Sequence, residues 1–308
     1  MRWRAPLALL TGLVLAECHY FPDHYLGHPD HVPPGVVTWS DDIAVDSLLI
    51  HVKAARPAGR GPFPAVIVHP EGGKTAVDMQ GIIWDLAGRG YVAIAVDYER
   101  RVDGSYRRSL FAWRSESDVT AILDIARRYP VVDRDRIGLL GFSQGGVYSL
   151  LIAAHAPANI RAVVSYYPVT DFPHWLGPEQ SSVGRRLVSP AVRWYFRRES
   201  GTASDAEFEQ MLQAASPYYT AEAIEAPVLL IHGDRDTTAP VEESERMGDR
   251  LAALGKPVHV LVIPGGVHIF NFRQPHEAAV AWEATVEWFD RYLRSAPAAV
   301  SSANRSIG

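Results

Sequence analysis

The stretch LLGFSQGGV, Leu139 to Val147, sets Ser143 two residues after Gly141 and two before Gly145. That spacing suits a serine nucleophile on a sharp turn, although Gly and Ser also gather in turns that do no chemistry. The neighbours decide between the two. A serine hydroxyl is a poor nucleophile at neutral pH and needs a base, and the base needs a third group to orient it. Both are present further along the chain. VLLIHGDRDTTAP is an apolar run that ends in a loop holding Asp234 and Asp236, and VLVIPGGVHIF is a later run whose loop holds His268. Of twelve histidines, His268 is singled out by its place at a strand end after Gly265 and Gly266. The chemistry these residues could perform together is acyl transfer, with hydroxyl, imidazole and carboxylate in series.

Such a series needs a scaffold that delivers three distant loops to one point. From Val36 onward apolar runs and helical stripes take turns. IAVDSLLIHV (Ile43 to Val52) reads as a strand in an opening hairpin, and AVIVHP (Ala65 to Pro70) as a buried parallel strand. A helix is expected over Gln80 to Ala87, then the strand YVAIAVDY, then a capped helix in SDVTAILDIARRYP. DRIGLLGF is the next strand and GGVYSLLIAAHAP the helix leaving it, so Ser143 falls on the turn between them. Strands IRAVVSYYPV, APVLLIHGD and VHVLVIPGG follow, with helix VEESERMGDRLAALG between the last two and a final helix over Glu277 to Leu293. The alternation predicts an α/β domain over residues 36–294 with a mostly parallel, doubly wound sheet flanked by helices. It is interrupted at about 171–216 by a small helical cap insertion. Ligands of such sheets sit at the carboxyl ends of the strands, where Ser143, Asp234, Asp236 and His268 all lie.

The order Ser, Asp, His at successive strand ends resembles the α/β-hydrolase superfamily, and the likeness runs from about Ile43 to Leu293. In that family the strand before the acid resembles H-G-x-x-D with a later Pro; His232, Gly233, Asp236 and Pro240 match it. The resemblance therefore makes Asp236 the acid, with Asp234 capping its own loop. It also implies two backbone donors for the oxyanion of a tetrahedral intermediate. One is the N–H of Gln144. The other belongs to the loop HPEGGK, where Pro70 has no N–H, leaving Glu71 or Gly72. A carboxylate at Glu71 would oppose the oxyanion unless its side chain is engaged elsewhere.

HPEGG followed by DLAGRGYVAIAVDY is similar to the dienelactone hydrolases, which carry a Glu in this loop and use Cys where this chain has Ser143. The stretch from SPYYTAEAIEAPVLLIHGDRD to VIPGGVHIF is similar to the catalytic domains of prolyl oligopeptidase relatives and acetyl-xylan-type esterases, without room for a β-propeller before it. Together these imply a serine hydrolase of carboxylic esters, acting through an acyl-enzyme on a small-molecule ester or short peptide, with neither metal nor organic cofactor. The alternatives are a prolyl oligopeptidase-type serine peptidase and a non-catalytic envelope protein on the same fold.

The chain of 308 residues carries a net charge of −5, which gives no reason to expect nucleic acid as a partner. Arg2 and Arg4 precede an apolar run, Ala5 to Ala16, too short to span a bilayer, so residues 1–17 read as an export signal. LVLAEC resembles a bacterial lipobox, with Glu17 where that motif has a small residue. It implies a lipid-modified Cys18 and attachment to the membrane of the cell envelope, an incidental Cys after a plain signal being the other reading. The single Cys excludes an intrachain disulfide. Residues 18–35, with His19, His24, His28 and His31 at spacings that fit no zinc pattern, read as a solvated tether.

Within the cap, Trp175, Trp194, Tyr195 and Phe196 read as packing ahead of a substrate wall. Arg185, Arg186, Arg193, Arg197 and Arg198 read as a solvated helix face ahead of a site for an anionic substrate or a phospholipid surface. Residues 295–308 read as a disordered tail.

Overall fold

A computed structural model describes residues 25–45, 48–97, 116–178 and 183–294. The expected signal segment, Cys18, His19, His24 and the tail over 295–308 lie outside these residues. So do the side chains of Arg185 and Arg186.

One sheet of eight strands organises the domain, in the order β1-β2-β4-β3-β5-β6-β7-β8. β1 (Val36–Val45) and β2 (Leu48–Pro57) form an antiparallel hairpin with Val45 opposite Leu48, and β2 runs antiparallel to β4 (Val92–Val96). The remaining pairs, β4–β3 (Phe63–His69), β3–β5 (Val132–Phe142), β5–β6 (Ala162–Tyr166), β6–β7 (Val228–Gly233) and β7–β8 (Val258–Ile263), are parallel. This is the mostly parallel α/β-hydrolase sheet expected from the sequence.

The run Ile43 to Val52 falls in two strands and not one: β1 ends at Val45 and β2 begins at Leu48.

Successive residues of the central strands feed opposite faces. Val66, Val68, Ala93, Ala95, Leu140 and Val164 pack under α1 (Gln80–Gly88) and the helix Pro275–Phe289. Ala65, Ile67, Val92, Ile94, Leu139 and Val163 pack under α2 (Glu116–Arg127), α3 (Gln144–His155) and the helix Glu242–Ala253. A sheet buried on both faces needs near-continuous apolar strands, which is why AVIVH and VAIAV read as they do. The parallel register aligns His69 with Gly141, Phe142 with Tyr166, and Gly233 with Ile263, so the loops that leave β3, β5, β7 and β8 open on one edge.

The turn from β5 into α3 depends on missing side chains. A Cβ at Gly141 would lie 2.0 Å from the carbonyl oxygen of Gly145, and one at Gly145 would lie 2.2 Å from that of His69. Backbone atoms cannot yield as a flexible side chain can. Gly141→Ala is therefore expected to lower stability by about 3 kcal/mol or more, read as a fall in the midpoint of chemical unfolding.

The insertion is helical, with α4 (Phe172–Trp175), α5 (Val183–Ser200) and α6 (Asp205–Ala214). Trp175 and Phe196 stack at 6.1 Å and share a cluster with Val147, Leu151, Phe208 and Leu212, so these aromatics join the cap to α3. Trp194 is half exposed, with the Arg198 guanidinium 5.7 Å from its ring. Arg193 pairs with Glu209 and Arg197 with Asp205, both within the cap. Among the described residues no helix is long and apolar enough to cross a membrane.

The described part of the expected tether departs from that reading. Tyr25 is 3 % exposed, its ring 4.1 Å from that of Phe272 and 4.9 Å from that of Phe142. His28 packs edge-on against Trp282 at 4.4 Å, with Nδ1 3.5 Å from Asp85 Oδ2. Only from Asp30 and His31, which pair with one another in solvent, does the segment take the expected exposed form. The Pro/His/Asp composition conceals two aromatic anchors whose ring partners, Phe142, Phe272 and Trp282, lie over a hundred residues away in sequence.

Candidate active site

Ser143 follows β5 directly and has φ +48° and ψ −112°, a conformation that side chains seldom adopt and that persists only where the surroundings enforce it. Its N–H donates to the Tyr166 carbonyl at 2.9 Å, and its own carbonyl accepts from the Val147 N–H, so β6 and α3 hold the turn from both sides. The hydroxyl is thereby lifted to the sheet edge, with Oγ 3.2 Å from His268 Nε2.

On the other side of the imidazole, His268 Nδ1 lies 2.6 Å from Asp236 Oδ2. A carboxylate only accepts, so the ring proton sits on Nδ1 and the Nε2 lone pair faces the serine. The hydroxyl, imidazole and carboxylate anticipated from three separate loops form one contiguous row.

Asp236 is buried and fully engaged. Oδ1 accepts the N–H groups of Thr238 and Ala239, each at 2.8 Å. Burial alone would push its pKa up. The positive charge available at His268 and hydrogen bonds from His232 and His268 outweigh this and hold it well below the usual carboxylate range.

His232 was legible only as part of a motif. It is fully buried, accepts from Ser244 Oγ at Nδ1 (2.7 Å), donates from Nε2 to the Ala239 carbonyl (2.7 Å), and lies 3.4 Å from Asp236 Oδ2. It braces the loop that shapes the acid.

Asp234 has a different task from the one expected. Its Oδ1 accepts the Gly265 N–H at 2.7 Å, so it ties its loop to the loop of His268 across 31 positions. An Asp in a turn signals a backbone partner, but the sequence does not say that the partner belongs to another loop.

The loop after β3 lies against the start of α3. A Cβ on Gly72 would lie 3.0 Å from Gln144 Oε1, and the start of α3 packs on the carbonyls of His69 and Pro70. Gly72 is therefore beside Gln144, with Glu71 next to it in the chain. The Glu71 side chain has the separate engagement that the sequence called for: it is buried, and Oε2 accepts the Tyr25 hydroxyl at 2.7 Å.

Burial pushes the Glu71 pKa up to about 7; the Tyr25 hydrogen bond and the charges of His268 and Lys74 draw it back only in part. An unfolded glutamate ionises near pH 4.3, so the folded state resists ionisation between roughly pH 4 and 7. The stability this group contributes is full below the lower value, falls through that window, and is gone above pH 7. Glu71→Gln removes the dependence. Its gain in melting temperature over the wild type is expected to be larger at pH 8 than at pH 5.

The cap is wired to the same loops. Glu243, in α7 (Glu242–Ala253), is buried and accepts the N–H groups of Thr170 and Asp171 at Oε2 (3.0 and 2.9 Å) and His174 Nδ1 at Oε1 (2.8 Å). The hydrogen bond to Glu243 raises the His174 pKa, against partial burial. Trp175 Nε1 donates to the Thr238 carbonyl at 2.9 Å, joining the cap to the acid loop. This stretch is expected from the sequence only as the start of a helix, and the acidic run EESER carries no sign of a buried carboxylate.

The model of the dienelactone hydrolase family matches residues 50–293, which is most of the chain and includes every loop just described. The chain belongs to the dienelactone hydrolase family. It is therefore a member of a family of hydrolases.

Among curated relatives, "Uncharacterized peptidase YtmA" of Bacillus subtilis is 28% identical over 70% of this chain and 80% of its own length. "Putative carboxymethylenebutenolidase" of Methylorubrum extorquens is 26% identical over 84% of this chain and 82% of its own. Among solved structures, the acylaminoacyl peptidase of Pyrococcus horikoshii superposes with a TM-score of 0.69 at 21% identity. The match covers 85% of this chain and 42% of the peptidase, so the present chain corresponds to less than half of that enzyme. The "Putative Dienelactone Hydrolase" of Klebsiella pneumoniae superposes with a TM-score of 0.61 at 22% identity, over 83% of this chain and 99% of that one. At these identities the superpositions establish the α/β-hydrolase fold.

Proposed function

We propose that this protein is a serine hydrolase of small carboxylic esters, with Ser143 as nucleophile, His268 as general base and acid, and Asp236 as the group that orients the imidazole. The observation that carries the reading is the unbroken row from Ser143 Oγ to His268 Nε2 at 3.2 Å and from His268 Nδ1 to Asp236 Oδ2 at 2.6 Å.

In the first half-reaction the Ser143 oxygen attacks the ester carbonyl while its proton passes to His268 Nε2. Asp236 stabilises the resulting imidazolium. The carbonyl oxygen, now negative, is met by the N–H of Gln144 and by that of Glu71 or Gly72. Collapse of the intermediate breaks the bond to the leaving alkoxide, which takes the proton from His268, and an acyl-serine remains. Water repeats the sequence and releases the acid.

The ester reading draws on the relative from Methylorubrum extorquens, matched over 84% of this chain, whose name denotes hydrolysis of a butenolide, a cyclic ester. A peptidase is the second reading, favoured by the relative named a peptidase that is covered over 80% of its length. A fluorophosphonate probe, which labels only an activated serine, tests for the nucleophile at Ser143 and against a non-catalytic role. p-Nitrophenyl acetate against aminoacyl p-nitroanilides then separates ester from amide hydrolysis; turnover confined to the anilides would replace the first reading with the second.

A further inference from the structure

Tyr25 lies outside the family-matched region, residues 50–293, yet it meets three of the four loops that converge at the active site, those after β3, β5 and β8. Its ring packs against Phe142, the residue before Ser143, and against Phe272, four residues after His268. Its hydroxyl donates to Glu71 on the loop after β3. The next residue continues the contact, the Leu26 N–H donating to the Asn271 carbonyl at 2.8 Å.

The arm has a prepared seat. A Cβ on Gly81 of α1 would come within 2.9 Å of the Pro29 carbonyl oxygen and 3.0 Å of His28 Cβ, so the helix surface admits the arm only because that residue is glycine. His28 covers Trp282 on the opposite side. The arm thus bridges the loops of Glu71, Ser143 and His268 from outside the region common to the family.

What Tyr25 prevents follows from its partner. The buried carboxyl of Glu71 belongs to the loop that supplies an oxyanion donor, and a carboxylate released there would compete with the oxyanion for the same N–H groups. We propose that the N-terminal arm completes the active site, with Tyr25 as a positioning residue that holds the Glu71 carboxyl away from the oxyanion donors and fixes the three loops relative to one another. This rests on the serine-hydrolase reading above. It makes turnover depend on whether the arm is docked.

The full-length Tyr25→Phe variant keeps the ring and loses only the hydroxyl. Its kcat on p-nitrophenyl acetate is expected to fall roughly tenfold with KM changed less than about twofold, and fluorophosphonate labelling of Ser143 to slow by the same factor. In a Glu71→Gln background, where no charge opposes the oxyanion, the same change is expected to cost less than about twofold. Gly81→Ala, which touches none of the three loops, displaces the arm and is expected to give an intermediate loss. Amide exchange over residues 71–74 is expected to quicken in both single variants. An unchanged kcat in Tyr25→Phe, or an equal loss in the two backgrounds as a merely structural tyrosine would give, overturns the proposal. If the wild type is neither labelled at Ser143 nor active on esters, the hydrolase reading fails by itself. The arm is then judged by exchange alone, and unaltered rates over residues 71–74 overturn it.

Discussion

Ser143→Ala is expected to lower kcat on p-nitrophenyl acetate by roughly ten-thousand-fold or more while KM stays within a few-fold of the wild type. Removing the nucleophile from a cooperating triad forfeits almost all that the three groups do jointly; only binding and oxyanion stabilisation remain. The substitution is clean because the features that hold the turn are backbone features. The Ser143 N–H to Tyr166 bond, the Val147 N–H to Ser143 bond and the close approach of Gly141 to Gly145 do not involve the hydroxyl. Alanine retains the Cβ that already tolerates φ +48°, so unfolding should stay within about 0.5 kcal/mol of the wild type. Loss of activity with an unchanged unfolding curve separates chemistry from folding, and the fluorophosphonate adduct should vanish in the same variant. Full turnover by Ser143→Ala would remove Ser143 from the mechanism.

What the sequence revealed of this site follows from how local each signal is. The turn at Ser143 is written in adjacent residues, because the strand before it, the helix after it and the two glycines that let their backbones touch are contiguous. Asp236 and His268 are likewise announced by apolar strands that end in loops. The parallel sheet brings those ends together without further instruction. Residues whose partners come from distant elements could not be read in this way. Asp234 looked like a local cap and instead ties Gly265. Glu243 sat in an acidic run typical of a solvated helix start, yet it is buried under Thr170, Asp171 and His174. Tyr25 lay in a stretch whose composition spoke for solvent, and only the groove between Phe142 and Phe272 explains its burial. Pattern fixes which face of an element is apolar. It does not say which polar atoms a buried side chain will find.

The two aspartates of the loop after β7, which pattern alone left open, should respond in opposite ways to loss of charge. In Asp236→Asn the carboxamide oxygen is expected to take the place of Oδ1, since only an oxygen can accept the N–H groups of Thr238 and Ala239. That choice turns the NH2 group toward His268 Nδ1. The amide then donates where the carboxylate accepted, the ring proton is driven to Nε2, and the nitrogen that should take the Ser143 proton is already occupied. The expected result is a fall in kcat of roughly a thousand- to ten-thousand-fold, with KM and the unfolding midpoint far less affected. Fluorophosphonate labelling should slow in parallel, because it needs the same proton transfer. In Asp234→Asn the side-chain oxygen can still accept the Gly265 N–H, so kcat should stay within about threefold of the wild type. The reverse pattern, with Asp234→Asn inactive and Asp236→Asn nearly intact, would move the orienting role to Asp234. It would also require the His268 loop to adopt a different position during turnover, since the Asp234 carboxylate is held here by the backbone of Gly265.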